Sequence, residues 1–429
     1  MKSASNLKLI LHRIGLIVVT GLAILTSAAS CTIPGLNLGN NSTPTTLGVL
    51  KQDPSISTEK FGKINAVQTV SGQVDPAGLS NLSGLKMQLT SPDNLYLLTT
   101  QKGLFKTTDG GRNWKRKYIF NPVSNNSDSK ARDAEINSIL AKNDALVSQD
   151  FAVDPTNQNN IFYAVSLNKV GKIYYSNDGG DSFKEVYTEV ASGVDVKLVT
   201  IDSKNPLRVY AVLQGGGLIG SLDGGKTWQK LQSFNDQPVQ IGFTEEFGNL
   251  FYILFAKNGL AISANDGKTW VTKPLVKEAS KIGENQPKDN LNIISSSTPT
   301  FGTYEKIIPV TTGSTKGWIL LADRQMWFSS SVDGNFSKLL LPVQSEQYNV
   351  LDAAVDPKRG LDQIIVGVDN KLFTTTNRGQ SWTTNDKIGL SAAIGNIGQI
   401  VIDPNGNNSI YLMLLNPSLK RGSGLGLFI

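Results

Sequence analysis

Cysteine and histidine are almost absent from this chain of 429 residues: there is one of each, and only nine arginines. A single cysteine excludes an internal disulfide, so the fold has to stand on packing. The one histidine, His12, lies in a segment expected to be removed, which excludes a Ser-His-Asp triad and any His-based metal site in what remains. No Walker-type phosphate loop occurs, and the paired glycines belong to hairpin turns. Long apolar runs are missing beyond the first thirty residues, and a hydrophobic content of 39% with 18% charged residues and 41 glycines describes a turn-rich, water-soluble body.

The first thirty residues stand apart. Lys2, Lys8, His12 and Arg13 precede an apolar run from Ile14 to Leu25, followed by small residues from Thr26 to Ser30. A charged head, a short greasy middle and a small-residue exit read as an export signal, 1–30. A permanent single span, which needs roughly 20 apolar residues, is the alternative. Cys31 follows directly, and residues 31–48 (Thr32 onward TIPGLNLGNNSTPTTLG) have the Pro, Gly, Asn and Ser content of a flexible tether. The signal holds three bases and no acids, so the net charge of +6 falls to about +3 without it. That removes the main argument for a nucleic-acid partner.

An internal repeat fills the rest. GLFKTTDGGRNW (103–114), KIYYSNDGGDSF (172–183) and GLIGSLDGGKTW (217–228) share one grammar. GLAISANDGKTW (259–270) and KLFTTTNRGQSW (371–382) place Asn265 and Asn377 at the acidic position, and MWFSSSVDGNF (326–336) is degenerate. Each is an alternating strand, a Ser or Thr, an Asp or Asn two residues on, a glycine, and an aromatic opening a second strand. This is a hairpin signature: the short acid or amide accepts turn N–H groups, and glycine takes the positive φ. A second repeat lies upstream of most of these, in AVDPTNQNNIFYAV (152–165), TIDSKNPLRVYAV (200–212), AVDPKRGLDQIIVGV (354–368) and VIDPNGNNSIYLML (401–414). Joined, the two give four antiparallel strands, A to D, per unit.

Asp109, Asp178, Asp223, Asn265, Ser331 and Asn377 are spaced by 69, 45, 42, 66 and 46 residues. A unit of 42 to 46 residues is blade-sized, and the long intervals leave insertions at 121–150 and 274–305. One unit buries only one face, so the units must stack, and a ring removes the exposed ends. The expected fold is all-β, a seven-bladed propeller over 49–429. GLGLFI (424–429) matches a C strand without its turn, so a segment of Gly48 to Val70 is expected to supply the one missing strand of the seventh blade. Both repeated turns then share one face of the ring, and both insertions lie on the other. Within the first, Ala134, Ile136, Ile139, Leu140, Leu146 and Val147 have roughly helical spacing, which predicts a short amphipathic helix over Lys130 to Val147.

Three resemblances carry these readings further. LTSAASC (25–31) resembles the lipobox of bacterial lipoproteins, with Ala28 where leucine is commonest, and implies lipidation of Cys31; cleavage after Ser30 by an ordinary peptidase is the alternative. The run Ser221, Asp223, Gly225, Thr227 and Trp228 matches the Asp-box, or bacterial neuraminidase repeat, pattern S-x-D-x-G-x-T-W, and similar runs recur over roughly 85–429. Asp boxes occur in sialidases, xyloglucan-cleaving glycosidases, sortilin-type receptors and photosystem II stability/assembly factors. The pairing of glycine turns with Asp-Pro turns on a lipobox-bearing chain looks most like the last group. In all of them the box is architectural, which implies structural roles for Asp109, Gly111, Trp114, Asp178, Gly180, Asp223, Gly225, Trp228, Asn265, Trp270, Asn377, Gly379 and Trp382.

The F/Y-R-I-P motif of sialidases is missing, and Arg112, Arg116 and Arg378 lie in or beside turns. A glycosidase needs only two carboxylates, and 35 acids leave that route open. Residues 403–408 could suggest calcium, but Asp-Pro-Asn-Gly is more simply a turn. The expected protein is therefore a monomeric, exported, membrane-anchored binder of the cell envelope. It takes a protein partner, such as a membrane protein or complex, and uses no cofactor, metal or catalytic residue. A glycoside hydrolase or glycan-binding propeller is the alternative.

Overall fold

A computed structural model describes residues 48–52, 61–63, 66–68, 73–75 and 78–79. It continues over 82–277 apart from 245, 246 and 248, and over 301–415 apart from 313–314, 332, 344–348, 370, 386–395 and 404–408. The expected signal, Cys31, nearly all of the tether, GLGLFI, most of the 403–408 turn and most of the second insertion lie outside these residues. Of two units, 1–43 and 44–429, the second holds everything described below.

The second unit is a seven-bladed propeller of antiparallel sheets. The A strands are Gly84–Ser91, Val147–Val153, Val196–Ile201, Pro238–Thr244, Tyr304–Thr312, Val350–Asp356 and Asn396–Ile402. In blades 1 to 6 the B, C and D strands follow in chain order. Burial falls from the middle of each blade to its outer edge. In blade 2 the B strand Ile161–Leu167 is buried at all but its last residue, whereas no residue of the D strand Lys184–Thr188 is fully buried. A blade interior is covered on both faces by its neighbours, so its strands read as continuous apolar runs, and only the outermost strand meets water.

The core is divided accordingly. Among the described residues the buried apolar side chains form seven clusters, each bridging one pair of adjacent blades. Trp318, fully buried, stacks on Phe247 at 4.6 Å between blades 4 and 5, and Tyr96 meets Phe151 at 6.2 Å between blades 1 and 2.

Ring closure differs from the expectation. Gly48–Gln52 pairs antiparallel with Ile410–Leu415 in the C position, and Phe61–Lys63 follows as D, so the N-terminal segment supplies two strands of the seventh blade rather than one. The signal was present in the sequence: Gly48-Val49-Leu50-Lys51 repeats the pattern of Gly103-Leu104-Phe105-Lys106, the C strand of blade 1. The N-terminal segment also adds Val67–Gln68 to the outside of blade 1, parallel to its D strand Trp114–Lys117, with Val74–Asp75 beyond.

The first insertion leaves the D strand of blade 1 and reaches the A strand of blade 2, which begins at Val147, inside the range read as insertion. It contains a helix, α1 (Ser129–Asp144). The helix is not amphipathic. Ile136, Ile139 and Leu140 are half-buried, Ala134 is exposed, and Asn143 is its one buried residue. Leu146 and Val147 lie beyond its end and Ala134 falls on the opposite side, so only Ile136, Ile139 and Leu140 remain of the expected stripe. Among the described residues no helix is long and apolar enough to cross a membrane.

Candidate functional site

The C–D turns share one hydrogen-bonding scheme. In blade 3 the Ser221 hydroxyl donates to Asp223 Oδ1 at 2.7 Å and accepts from the Gly225 amide at 2.8 Å. Asp223 accepts from the Thr227 amide and hydroxyl at 2.9 and 2.6 Å. Blades 1 and 2 repeat this through Thr107, Asp109 and Gly111, and through Ser176, Asp178 and Gly180. In blades 4 and 6, Asn265 and Asn377 accept from Thr269 and Ser381 amides at 2.9 Å, so an amide oxygen serves where a carboxylate stands elsewhere. Blade 5 uses the carbonyl of Ser331 as the acceptor for Ser329. Gly225 has φ +85°, and a Cβ there would meet Phe162 of blade 2 at 2.5 Å, so both backbone and neighbour demand glycine.

These bonds set the charge of the turn acids. Burial opposes ionisation of Asp178, but donation from Ser182 and Ser176 outweighs it and holds the carboxyl at about 2. Asp223 is held well below the usual carboxylate range, first by the Thr227 hydroxyl and amide and then by Ser221. The aromatic positions are less uniform. Trp114 is fully buried between blades 7 and 1. Trp228 and Trp270 are half-buried, each with its indole N–H on a turn glycine carbonyl (Gly225 and Gly267), and Trp382, also half-buried, packs against the cluster joining blades 5 and 6. The six described turns are therefore separate small structures, and their acids do not converge.

A second set of polar residues escaped the sequence reading. Each A strand has a one-residue bulge against its B strand, falling just before Lys86, Asp150, Leu198, Gln240, Lys306, Asp352 and Gln399. A bulge re-aims side chains, and here it turns one residue per blade toward the next blade. Lys86 donates to Asp150 and to the Phe151 carbonyl, both at 2.7 Å. Asp150 accepts from the Val199 amide at 2.9 Å. Gln240 bonds both backbone groups of Ile307, Lys306 repeats the Lys86 pattern on Asp352 and Ala353, Asp352 accepts from Ile400, and Gln399 bonds both backbone groups of Met87. In blade 3 the apolar Leu198 takes this place and packs toward blade 4. The available signal was a lone polar residue inside an apolar strand, as in NIGQIVI.

A cavity lies at the outer rim between blades 1 and 2. It measures about 460 Å³, and its lining includes Lys115, Arg116, Lys117, Tyr118, Val123 and Asp181. Lys117, nearly buried, pairs with Asp181 at 2.7 Å, and Lys115 approaches the same carboxylate at 3.7 Å. Arg116 lies 4.9 Å over the Tyr118 ring and pairs with Asp144 at the end of α1 at 2.7 Å. Burial, then the nearby Lys117 charge, lowers the pKa of Lys106, whose ammonium sits 5.0 Å over the Tyr96 ring. Among the described residues no group of three or more His, Cys, Asp or Glu could hold a metal.

Bulge-latched blades with capped C–D turns define a seven-bladed β-propeller whose acids are largely engaged in holding turns and seams. The chain belongs to the family of the DUF6242 beta propeller domain, whose model matches residues 137–420. No curated protein matches the chain. Among solved structures, YCF48 from Cyanidioschyzon merolae is similar at TM-score 0.53 and 12% identity, covering 78% of this chain and 96% of its own. YCF48 bound to D1 peptide gives 0.51 and 13%, over 78% and 94%. The GH74 xyloglucanase from Xanthomonas campestris gives 0.52 and 14%, over 78% of this chain and 51% of its own, so the chain spans about half that enzyme's length. At such identities the likeness is one of fold.

Proposed function

We propose that this protein is a non-enzymatic propeller that binds a partner protein and helps assemble it at the outer face of a membrane, to which Cys31 tethers it. The carrying observation is α1. Its start is capped by Asp128, which accepts from the Ala131 amide at 2.8 Å. Its end is fixed by Asn143, whose amide bonds both backbone groups of Phe120, and by Asp144, which pairs with Lys102 and Arg116. A helix capped at its start, tied to blade 1 at its end and largely in water along its length is a presenting element rather than core, and long insertions on a rigid scaffold carry function. The similar fold of YCF48 bound to D1 peptide supports this reading.

Replacing 124–142 with a short Gly/Ser linker is expected to leave the melting temperature nearly unchanged and to abolish partner capture in a pull-down. Capture that survives moves the binding surface elsewhere. Cys31→Ala is expected to shift the protein from the membrane to the soluble envelope fraction, and unchanged retention would point to an uncleaved signal helix. The alternative reading, a glycoside hydrolase or glycan-binding propeller, draws on the fold shared with the Xanthomonas campestris xyloglucanase. Hydrolysis of xyloglucan oligosaccharides or a positive glycan array would favour it.

A further inference from the structure

The rim cavity between blades 1 and 2 has more positive charge than its own carboxylates match. Lys115, Arg116 and Lys117 line it against the one carboxylate of Asp181, with Lys102, Lys106, Asp144 and Asp178 in the polar network around it. Asp178 is taken by Ser176 and Ser182 in its own turn, and Asp144 is shared between Lys102 and Arg116. Asp181 alone serves both Lys115 and Lys117. The result is uneven: Lys117, with its side chain 6% exposed, holds the 2.7 Å contact, and Lys115, 63% exposed, is left at 3.7 Å. A buried ammonium whose counter-ion is itself 60% exposed gains from a second carboxylate, because Coulomb attraction strengthens as water leaves.

The rest of the lining narrows the class of ligand. Tyr118, Pro122 and Val123 give the cavity an apolar side, with Val123 64% exposed. At about 460 Å³ the space falls in the range of pockets that enclose small ligands. A lone phosphate or sulfate would leave that apolar side bare, whereas an extended peptide with acidic and apolar side chains in alternation covers both. Pro122 and Val123 also belong to the insertion that carries α1, so the cavity adjoins the presenting element.

We propose that this cavity is the docking site for an acidic, extended segment of the partner protein, with Lys115 and Lys117 receiving its carboxylate and Tyr118 and Val123 its apolar side chain. This rests on the reading of the protein as a partner-binding propeller.

The test is calorimetric titration of the full chain with the acetylated hexapeptide Leu-Glu-Leu-Glu-Leu-Glu, its glutamine counterpart, and inorganic phosphate. The glutamate peptide is expected to bind at least tenfold more tightly than the glutamine one, and more weakly as salt rises. Lys115→Glu is expected to weaken it at least tenfold with an unchanged melting temperature, and Lys230→Glu, on the exposed D strand of blade 3, is expected to change nothing. Should Lys115→Glu disturb the fold, Lys115→Ala carries the same readout. Failure of the glutamate peptide to bind, indifference to the Lys115 variants, or phosphate binding as tightly as the peptide would each overturn the proposal. Partner capture that persists in Lys115→Glu overturns this site alone; loss of capture only on replacing α1 does the same while keeping the binding reading.

Discussion

Lys86 of blade 1 and Asp150 of blade 2 form an ion pair of 2.7 Å, and Lys306 and Asp352 recreate it between blades 5 and 6 at 2.8 Å. In both, the lysine also donates to a carbonyl of the next blade, and the aspartate accepts from an amide of the blade after that. Each pair thus spans three blades. Asp150→Ala is expected to cost about 2–3 kcal/mol by chemical denaturation, since it strands a charged donor and a buried amide together. A Lys86→Met, Asp150→Leu double variant should recover part of that loss. A single-variant cost below about 0.5 kcal/mol would show that the latch is incidental.

The tryptophans should separate by burial. Trp114→Ala is expected to cost about 3–5 kcal/mol, the range for truncating a large core aromatic. Trp228→Ala is expected to cost about 1–3 kcal/mol, because part of its ring surface is in water and its contacts with Phe162 and Tyr187 are at 6.4 and 5.7 Å. Equal costs in urea melts would contradict the assigned burial.

The turn acids make stability depend on acid. Asp178 titrates at about 2 in the folded protein against 3.8 ordinarily. A depressed folded value means that its contribution is fully present above about pH 4 and is lost as pH falls toward 2. Asn265 and Asn377 show that an amide oxygen makes the same turn without charge. Asp178→Asn is therefore expected to fold normally at pH 7 and to lose less melting temperature between pH 4 and pH 2 than the parent. An unchanged acid slope would put the sensitivity in other carboxylates.

Closure by the N-terminal strands makes a further demand. Val49, fully buried against Met413 and Trp114 in the cluster joining blades 7 and 1, is expected to tolerate Asp poorly. Val49→Asp should broaden the unfolding transition and expose the Ile410–Leu415 edge to proteolysis. Sharp, two-state melting would argue against closure at this strand.

What the sequence made legible was local. Ser221, Asp223, Gly225 and Thr227 bond within seven residues, so spacing alone reveals the turn, and repetition reveals the ring. Lys86 and Asp150 lie far apart in sequence, and a polar residue in an apolar strand does not announce its partner. The pattern over Lys130 to Val147 overstated amphipathicity because the helix ends at Asp144, leaving Leu146 and Val147 outside it, and Ala134 lies off the face of Ile136, Ile139 and Leu140. The rim cavity was in view as the run Trp114-Lys115-Arg116-Lys117-Tyr118, but only the fold brings Asp181 and Val123 beside it.

The pairing of Gly48–Gln52 with Ile410–Leu415 also has a temporal consequence. The first described strand made by the ribosome must wait for nearly the last before it has its neighbour. Blades 2 to 6 can form as they emerge, each condensing on the one before. Blade 7 cannot, and the loop that it closes is almost the whole domain, so its entropy is surrendered only at the end. Until synthesis is complete, the growing protein is an open arc with two raw edges, Ile410–Leu415 being one of the last to appear. An interruption of elongation or a nick near either end should therefore leave the same aggregation-prone species, a ring without its clasp.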